Sequence, residues 1–244
     1  MHANLFLRSL AFWVVLSLSL LIYAPLSLFT FPLPFAARYR FINKWTRFIL
    51  WWLERTCKLT FQVAGKEYLP KGNAVVMVKH QSAWETLALQ VIFPIQTWII
   101  KRELLWIPFF GWALAMLQPI ALNRKAGKHA LDQLVQQGIR RLRQGRWIII
   151  FPEGTRVAPG QRRHYQPGGA LLAAKSGYPV VPVAHNAGEF WPRRGFIKRP
   201  GTIQVVIGPA IATHGRKARD ILHEAEVWIE ETMAEINKFD LGKD

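Results

Sequence analysis

The sequence predicts an α/β domain in which helices flank a mostly parallel central sheet, preceded by an N-terminal helical segment that attaches to a membrane. Two observations carry this prediction. From residue 60 onward, short β-rich apolar runs alternate with helical stretches, as is typical of strand–helix–strand units. Before them, residues 9–37 contain no charged side chain, although 19% of the chain is charged. A chain of 244 residues is long enough for one sizeable core and an appendage.

The N-terminal apolar run is long enough to cross a bilayer, because residues 10–31 would extend for roughly 30 Å as a helix. Pro25 lies inside the run, so a hairpin that turns back at the membrane interface is an alternative to a span. A cleaved signal peptide is a third alternative, although no clear small-x-small cleavage site follows. Arg8 precedes the run, and Arg38, Arg40, Lys44 and Arg47 follow it. This charge bias predicts that the following domain is cytoplasmic, at the inner membrane if the protein is bacterial.

Two further stretches indicate contact with lipid. Residues 43–55 mix basic and aromatic side chains as an interfacial amphipathic helix does, although an ordinary docking helix fits the same pattern. Residues 104–122 form a second charge-free run, which hydropathy alone would allow to span a membrane. Because Pro108, Gly111 and Pro119 interrupt it, we predict broken segments that lie in the core or line an acyl pocket.

The formal net charge of +17 is unevenly distributed, with +20 in residues 1–215 and −3 in residues 216–244. So basic a body predicts an anionic partner, such as an acidic membrane surface, a phosphorylated substrate or nucleic acid. We do not predict nucleic-acid binding, because no helix-turn-helix, RRM or zinc-finger signature is present. Residues 216–239 have the spacing of an acidic amphipathic helix that covers the domain. The sequence therefore predicts three parts of the chain: an N-terminal membrane-attaching helical segment (residues 1–59), the main α/β domain (residues 60–215) and a C-terminal amphipathic helix (residues 216–244).

Several reaction classes lack their signatures in this sequence. It contains no Gly-x-Ser-x-Gly elbow, no Walker loop and no His-Glu-x-x-His pair. A serine hydrolase, a P-loop nucleotidase and a zinc peptidase are therefore not predicted. Cys57 is the only cysteine, which excludes an intrachain disulfide and a cysteine-rich metal site. We predict no metal.

The first candidate for chemistry is His80, with Glu85 five residues later. His80 follows the apolar run 74–78 and precedes a helix expected near Ala83, so it should lie at a strand-to-helix turn. A carboxylate in the first turn of that helix can accept a hydrogen bond from the imidazole. Such a bond would fix the tautomer and stabilise the imidazolium formed when the other nitrogen takes a proton from a hydroxyl. The alternative is a capping box, in which Glu85 would bond the backbone amide of Ser82.

The second candidate is the turn Phe151-Pro-Glu-Gly-Thr-Arg156, which follows the apolar run 147–151. Gly154 permits close approach of the backbone to a ligand, and the guanidinium of Arg156 offers two parallel donors to a phosphate. A purely structural turn, closed by an ion pair between Glu153 and Arg156, is the alternative.

These two motifs, His80-Gln-Ser-Ala-Trp-Glu85 and Phe151-Pro-Glu-Gly-Thr-Arg156, resemble two sequence blocks of the glycerolipid acyltransferase family. The resemblance is greatest to the 1-acylglycerol-3-phosphate acyltransferases. The other two blocks of the family have counterparts in residues 111–124, preceded by residues 101–104, and in residues 180–186. The resemblance covers about residues 60–210 and implies a single catalytic domain of the glycerolphosphate-acyltransferase type.

The resemblance implies transfer of a fatty acyl group from acyl-CoA or acyl carrier protein (acyl-ACP) to the sn-2 hydroxyl of lysophosphatidic acid, giving phosphatidic acid, with no bound cofactor. It implies that His80 is the general base and that Glu85 orients it. It assigns the phosphate and glycerol site to Lys101, Arg124, Glu153, Gly154, Thr155 and Arg156. A thioester is already activated, so the reaction mainly needs a positioned, deprotonated hydroxyl. Another lysophospholipid or a lyso-ornithine lipid is an alternative acceptor for the same chemistry.

Two positions depart from the family pattern. The first block usually ends in Asp, and Glu85 is one methylene longer; acyltransferases of lipid A synthesis also carry Glu there, which weakens the implied acceptor. Tyr165-Gln166 stands where relatives often have an aromatic residue followed by Lys. Arg162 and Arg163 are candidates to supply the missing positive charge.

Overall fold

The computed structural model of the protein describes residues 2–123 and 126–240. Its helices are α1 (His2–Leu28), α2 (Phe35–Cys57), α3 (Trp84–Ile92), α4 (Phe110–Met116), α5 (Lys128–Arg143), α6 (Gly168–Ser176), α7 (Ala187–Phe190) and α8 (Ala218–Asp240). Its strands are β1 (Leu59–Ala64), β2 (Val75–Val78), β3 (Gln96–Lys101), β4 (Ile120–Leu122), β5 (Trp147–Ile150), β6 (Val180–His185) and β7 (Gly201–Ile207).

The seven strands form one sheet in the order β1-β7-β6-β2-β5-β3-β4. Every neighbouring pair is parallel except β6 and β7, so β1 and β7 run opposite to the other five strands. This architecture confirms the predicted α/β fold with a mostly parallel sheet. The carboxyl ends of β2, β3 and β5 share one edge of the sheet, where ligands bind in open α/β folds.

Helices cover both faces of the sheet, which explains why its central strands are continuous apolar runs. Successive side chains of a strand point to opposite faces. Val76 and Val78 accordingly pack in a core with α1, α2 and α3, whereas Val75 and Met77 pack in a second core with α5, α6 and α8. The amphipathic spacing predicted for residues 216–239 is confirmed, since Ile221 and its inward-facing neighbours belong to the second core.

The first two helices form an antiparallel hairpin. Near its open end, Arg8 Nε donates to the Thr56 carbonyl at 2.7 Å, and near its closed end Tyr23 OH donates to the Phe41 carbonyl at 3.0 Å. The chain thus turns back as the hairpin alternative predicted, but α1 continues through Pro25 and ends at Leu28. Within the described residues, one helical stretch, Ala3–Leu28, is long and apolar enough to cross a membrane by length and composition.

The hairpin is also joined to the sheet domain. Lys198 is central to this junction, since its backbone N–H donates to Ser9 Oγ at 2.9 Å and its Nζ lies 4.3 Å from the ring centre of Trp13 and 4.5 Å from that of Trp191. Burial lowers the pKa of the Lys198 ammonium to about 8. Phe12 is fully buried in the core beside the sheet. The predicted boundary at residue 59 therefore separates segments that share a core.

The charge-free run 104–122 is broken, as predicted, into a 3-10 turn (Arg102–Trp106), α4 and β4. Only some residues of this run lie in the core or line a cavity, as was predicted for all of its segments. Leu104 and Leu122 line the cavity described below, whereas Trp106 is 69% exposed and α4 lies on the surface against α1. We call the exposed large apolar side chains of the hairpin and of this run the apolar surface; its members are Phe6, Leu7, Leu10, Val14, Leu18, Leu21, Ile22, Leu26, Leu28, Phe29, Phe31, Leu33, Phe48, Trp51, Trp106, Ile107, Phe110 and Trp112. Such a surface fits membrane association.

Candidate active site

His80 and Glu85 form a direct pair at the carboxyl end of β2. The Nδ1 atom of His80 lies 2.8 Å from Glu85 Oε1, and the imidazole is stacked on Phe151 with ring centres 3.9 Å apart. Glu85 lies in the first turn of α3 and is fully buried. Because an ionised carboxylate only accepts hydrogen bonds, Nδ1 carries the proton and Nε2 is the nitrogen left to accept one.

The same carboxylate also caps the start of α3. The backbone N–H groups of Gln81 and Ser82 donate to Glu85 Oε1 at 2.9 and 2.8 Å, and that of Ser82 also reaches Oε2 at 3.1 Å. The capping interpretation and the orienting interpretation of the sequence are therefore compatible, because one oxygen serves both.

Glu85 is ionised despite its burial. Burial is the largest influence on its pKa and raises it, but the hydrogen bond from His80, the electrostatic influence of His185 and His80 and the hydrogen bond from the Ser82 amide together lower the pKa below its usual value. A buried carboxylate that receives several hydrogen bonds keeps its negative charge. Glu85 can thus stabilise a positive charge that forms on His80.

Glu153 lies beneath His80 with its carboxylate occupied. Its side chain is 0% exposed; the backbone N–H of His80 donates to Oε2 at 2.7 Å, and Lys79 Nζ lies 2.8 Å from Oε1. The ion pair with Arg156 considered from the sequence is not among those formed by the described residues; Lys79 takes its place. Burial raises the pKa of Glu153 more than the adjacent Lys79 ammonium lowers it.

Lys79 connects this site to the C-terminal helix. Its ammonium is 2.7 Å from Oε1 of Glu230 on α8, and Tyr165 OH donates to the same oxygen at 2.9 Å. Sequence reasoning missed both Lys79 and Glu230. A lysine directly after a fully buried strand is a usable signal, because a buried ammonium requires a partner. Nothing local, however, indicates a partner 151 residues away.

The backbone of residues 79–82, which we call the His80 loop, is held from several sides. His185 is fully buried and its Nε2–H donates to the Lys79 carbonyl at 2.8 Å, while its Nδ1 accepts from the Ala187 N–H. Burial is the main reason that the pKa of His185 is lowered, which keeps this imidazole neutral. The backbone N–H of Val157 donates to the His80 carbonyl at 2.8 Å. Together with the hydrogen bonds that the loop N–H groups donate to Glu85 and Glu153, these contacts fix the loop.

His80 opens on a cavity of about 890 Å³, within the range of small-molecule sites. Its lining includes four basic residues, which we call the basic wall: Lys101, Arg156, Arg163 and Arg193. It also includes apolar residues, which we call the apolar wall: Leu104, Leu122, Ala130, Leu131, Leu134 and Ile150. The cavity thus offers cations and an apolar lining to one ligand, beside a histidine that can take a proton.

The structure brings most of the predicted site residues to this cavity. Gly154 and Thr155 line it together with Lys101, Arg156, His80 and Glu153, whereas Arg124 lies outside the described residues. Of the two arginines considered as substitutes for the missing lysine, Arg163 lines the cavity and Arg162 approaches Glu230 at 3.4 Å. Arg193 was not predicted, because it reaches the cavity from a turn after α7 that carries no motif.

Among the side chains described in residues 3–123 and 126–236, no group of three or more His, Cys, Asp or Glu is placed to hold a metal ion. Comparison with known proteins identifies the family. A sequence profile described as Acyltransferase matches residues 60–186. A 1-acyl-sn-glycerol-3-phosphate acyltransferase from Pseudomonas aeruginosa is 48% identical over 236 residues, which cover 95% of this chain and 92% of that protein. The chain belongs to the acyltransferase family.

Other similarities agree with this membership. Human 1-acyl-sn-glycerol-3-phosphate acyltransferase beta is 29% identical over 71% of this acyltransferase and 65% of its own length. The crystal structure of the 1-acyl-sn-glycerophosphate (LPA) acyltransferase PlsC from Thermotoga maritima superimposes with a TM-score of 0.77 over 95% of both chains, at 24% identity. At that identity the superposition shows a shared fold.

Proposed function

We propose that this acyltransferase moves a fatty acyl group from a thioester donor, acyl-CoA or acyl-ACP, to the sn-2 hydroxyl of lysophosphatidic acid and so forms phosphatidic acid. The observation that carries the proposal is that the His80–Glu85 pair opens on the same cavity as Lys101 and Arg156. The similarity to the Pseudomonas aeruginosa relative, a 1-acyl-sn-glycerol-3-phosphate acyltransferase, supports this acceptor. No bound cofactor takes part.

In the proposed reaction, His80 Nε2 takes the proton of the acceptor hydroxyl as its oxygen attacks the thioester carbonyl. The tetrahedral intermediate then collapses: the carbon–sulfur bond breaks, the ester remains on the acceptor, and the imidazolium returns its proton to the leaving thiolate. Glu85 stabilises the imidazolium through its bond to Nδ1. No covalent acyl-enzyme is needed, since the donor is already activated.

The basic wall suits the phosphate of the acceptor. Arg156 is half-buried and its carbonyl accepts a hydrogen bond from Arg193 Nη1 at 3.2 Å, which joins the two loops that supply these guanidinium groups. Arginine forks bind phosphate oxygens in pairs. Lys101, at the end of β3, adds a further cation. The apolar wall suits the acyl chain of the donor.

We assign Glu153 a positioning role in place of the substrate contact implied by the sequence. Both of its oxygens are already engaged, one by the His80 N–H and the other by Lys79. Its carboxylate is buried and has no face toward solvent. In this role Glu153 fixes the backbone from which the His80 imidazole projects, and the phosphate is bound by the neighbouring Thr155 and Arg156.

We further propose that the apolar surface inserts into one leaflet of an anionic membrane and that the catalytic domain lies on the cytoplasmic side. The two ends of the hairpin, at Arg8 and Thr56, are bonded to each other beside the domain. A hairpin of this geometry returns the chain to the side from which it entered. The excess of basic residues after α1 supports the cytoplasmic side.

The test uses the full-length protein in mixed micelles with acyl-CoA, with acyl-ACP, and with a panel of lysolipid acceptors. We expect phosphatidic acid from lysophosphatidic acid, and a loss of about 10²–10⁴-fold in kcat for His80→Ala. His214→Ala is the matched control, because His214 is exposed and outside the cavity wall. No product with either donor would refute the function. Faster acylation of a lyso-ornithine lipid would refute the acceptor alone.

A further inference from the structure

Three arginines meet at the edge of the sheet opposite to the active site. Arg38 belongs to α2, Arg141 lies in the last turn of α5, and Arg146 directly precedes β5. The guanidinium carbon of Arg146 lies 3.4 Å from the ring centre of Phe35, and that of Arg38 lies 5.9 Å from the same centre. The backbone N–H of Arg146 donates to the Arg141 carbonyl at 3.1 Å. We call these three residues the arginine cluster.

Arg38 and Arg146 are buried, Arg141 is half-buried, and the cluster lacks a counter-charge. Arg38 is 9% exposed and Arg146 is 7% exposed. Nε of Arg38, Nε of Arg141 and Nη1 of Arg146 are buried and donate to no acceptor in the described part of the chain. None of the ion pairs formed there includes any of the three. Buried donors without acceptors are rare and costly in native proteins.

The surrounding sequence offers no carboxylate to the cluster. Residues 35–53 and residues 133–152 contain neither Asp nor Glu. Burial is the main reason that the pKa of Arg146 is lowered to about 10, and the positive charges of Arg141 and Arg38 lower it further. Three like charges gathered without a carboxylate would be stabilised by a bound anion.

We propose that the arginine cluster is a second phosphate-binding site, separate from the catalytic cavity, which binds the phosphate group of an anionic phospholipid or a free phosphate ion. Guanidinium groups from three different elements suit a tetrahedral anion with several oxygens better than a planar carboxylate. In this site the guanidinium groups of Arg38, Arg141 and Arg146 together bind the anion, while Nη1 of Arg141 also donates to Gln144 Oε1 at 3.3 Å.

The neighbourhood of the cluster favours a lipid as the source of the phosphate. The hairpin tip, residues 29–34, ends one helical turn before Arg38, and its Phe29 and Phe31 are 81% and 68% exposed. An apolar tip inserted into a leaflet brings the residues that follow it to the level of the lipid phosphates. A headgroup bound there would hold the hairpin and α5 together at the membrane surface.

The test measures anion binding by the full-length protein in an Arg156→Gln background, which weakens phosphate binding at the catalytic cavity. Sodium phosphate is compared with sodium chloride at equal ionic strength by the shift in Tm. Binding to phosphatidylcholine vesicles is measured with and without phosphatidic acid. In the Arg156→Gln parent protein, we expect phosphate to raise Tm and phosphatidic acid to increase binding to vesicles. Arg38→Gln/Arg146→Gln should weaken the binding of both at least about tenfold.

Arg40→Gln is the matched control, because Arg40 is an exposed arginine on the same helix whose Nε is bonded to the Ala36 carbonyl. Equal responses of the double variant and this control would overturn the proposal, as would a parent protein that responds to neither probe. A response to phosphatidic acid vesicles alone identifies a lipid headgroup, and an equal response to soluble phosphate identifies the free ion.

Folding of the variants distinguishes a binding site from a packing role. If the arginines only pack on Phe35, Arg146→Gln lowers Tm without phosphate and leaves the phosphate response unchanged, which contradicts the proposal. If they bind an anion, removal of one like charge leaves Tm in chloride unchanged or raised, and removes the response. Arg141→Gln repeats the test without disturbing the stacked ring, should the double variant fail to fold.

Discussion

The bond between Lys79 and Glu230 yields a quantitative prediction, because it links the His80 loop to α8 through buried charges. Lys79 Nζ lies 2.8 Å from Glu153 and 2.7 Å from Glu230, and its side chain is 2% exposed. Removal of one member of a buried ion pair costs about 3–5 kcal/mol. Lys79→Met leaves two carboxylates without their shared cation, so we expect the upper part of that range.

The expected cost of Glu230→Gln is smaller. Lys79 keeps Glu153, and the new amide still accepts from Tyr165, so the loss is about 1–2 kcal/mol. In the double variant residues 79 and 230 no longer carry charge, and Glu153, whose pKa is already raised by burial, can take up a proton. We therefore expect the double variant to lose at least about 1 kcal/mol less than the sum of the two single losses.

The free energy of unfolding is measured by urea titration in micelles, with tryptophan fluorescence as the probe. Steady-state kinetics at a temperature where every variant is folded give kcat and KM. Lys79→Met should lower kcat about tenfold or more with little change in KM, because the His80 loop moves while the cavity wall stays. Lys175→Met, an exposed lysine on α6, is the control. The reasoning would be refuted if the stability losses of the two single variants add up to that of the double variant within about 0.5 kcal/mol, or if kcat of Lys79→Met is unchanged.

Three further predictions concern orientation, chain length and pH. Glu85→Ala should lower kcat up to about 10⁴-fold, whereas Glu85→Asp, which keeps the charge but shortens the reach to His80, should lose less; saturating kinetics measure both. Ala130→Phe should fill part of the apolar wall and shift the product toward shorter acyl chains, as mass spectrometry of products from mixed donors would show. The pKa of Lys198 falls from 10.5 to about 8 on folding, so between these pH values the unfolded chain binds more protons than the folded chain. The free energy of unfolding should therefore rise with pH across this range, by up to about 3 kcal/mol. Lys198→Met should lack that rise in urea titrations.

Each of these three predictions has an outcome that contradicts it. Equal kcat values for the alanine and aspartate variants would show that the carboxylate of Glu85 does not orient the base. The same chain lengths from Ala130→Phe and from the size-matched Ala130→Ser would remove the apolar wall from the acyl site. Parallel pH profiles for Lys198→Met and the parent protein would show that the lysine is as solvated when folded as when unfolded.

The sequence predicts the parts of this molecule that depend on neighbours along the chain. The apolar runs 74–78 and 147–151 became β2 and β5 because a strand buried on both faces needs only continuous apolar residues. The His80–Glu85 pair spans five residues, so one helical turn suffices to close it. The capping alternative arose because local spacing cannot separate two uses of one carboxylate, and the structure has both.

Features that join distant segments were not predictable from one sequence. The reversed direction of β1 and β7 depends on how the chain crosses the sheet, which no local pattern records. Lys79 meets Glu230 across 151 residues, and Arg193 reaches the cavity from a turn without a motif. The surface position of α4 was not predicted, because an apolar run on the protein surface has the same composition as an apolar run in the core.

The link between the His80 loop and α8 has a consequence for biosynthesis. A ribosome releases residues 79–82 long before Glu230, so the emerging chain has its histidine and its orienting carboxylate while Lys79 lacks one of its two acceptors. During that interval the hairpin can already engage lipid. The order of synthesis therefore separates membrane association from the final fixing of the His80 loop, and a nascent chain at the membrane surface should acquire full activity only when α8 docks.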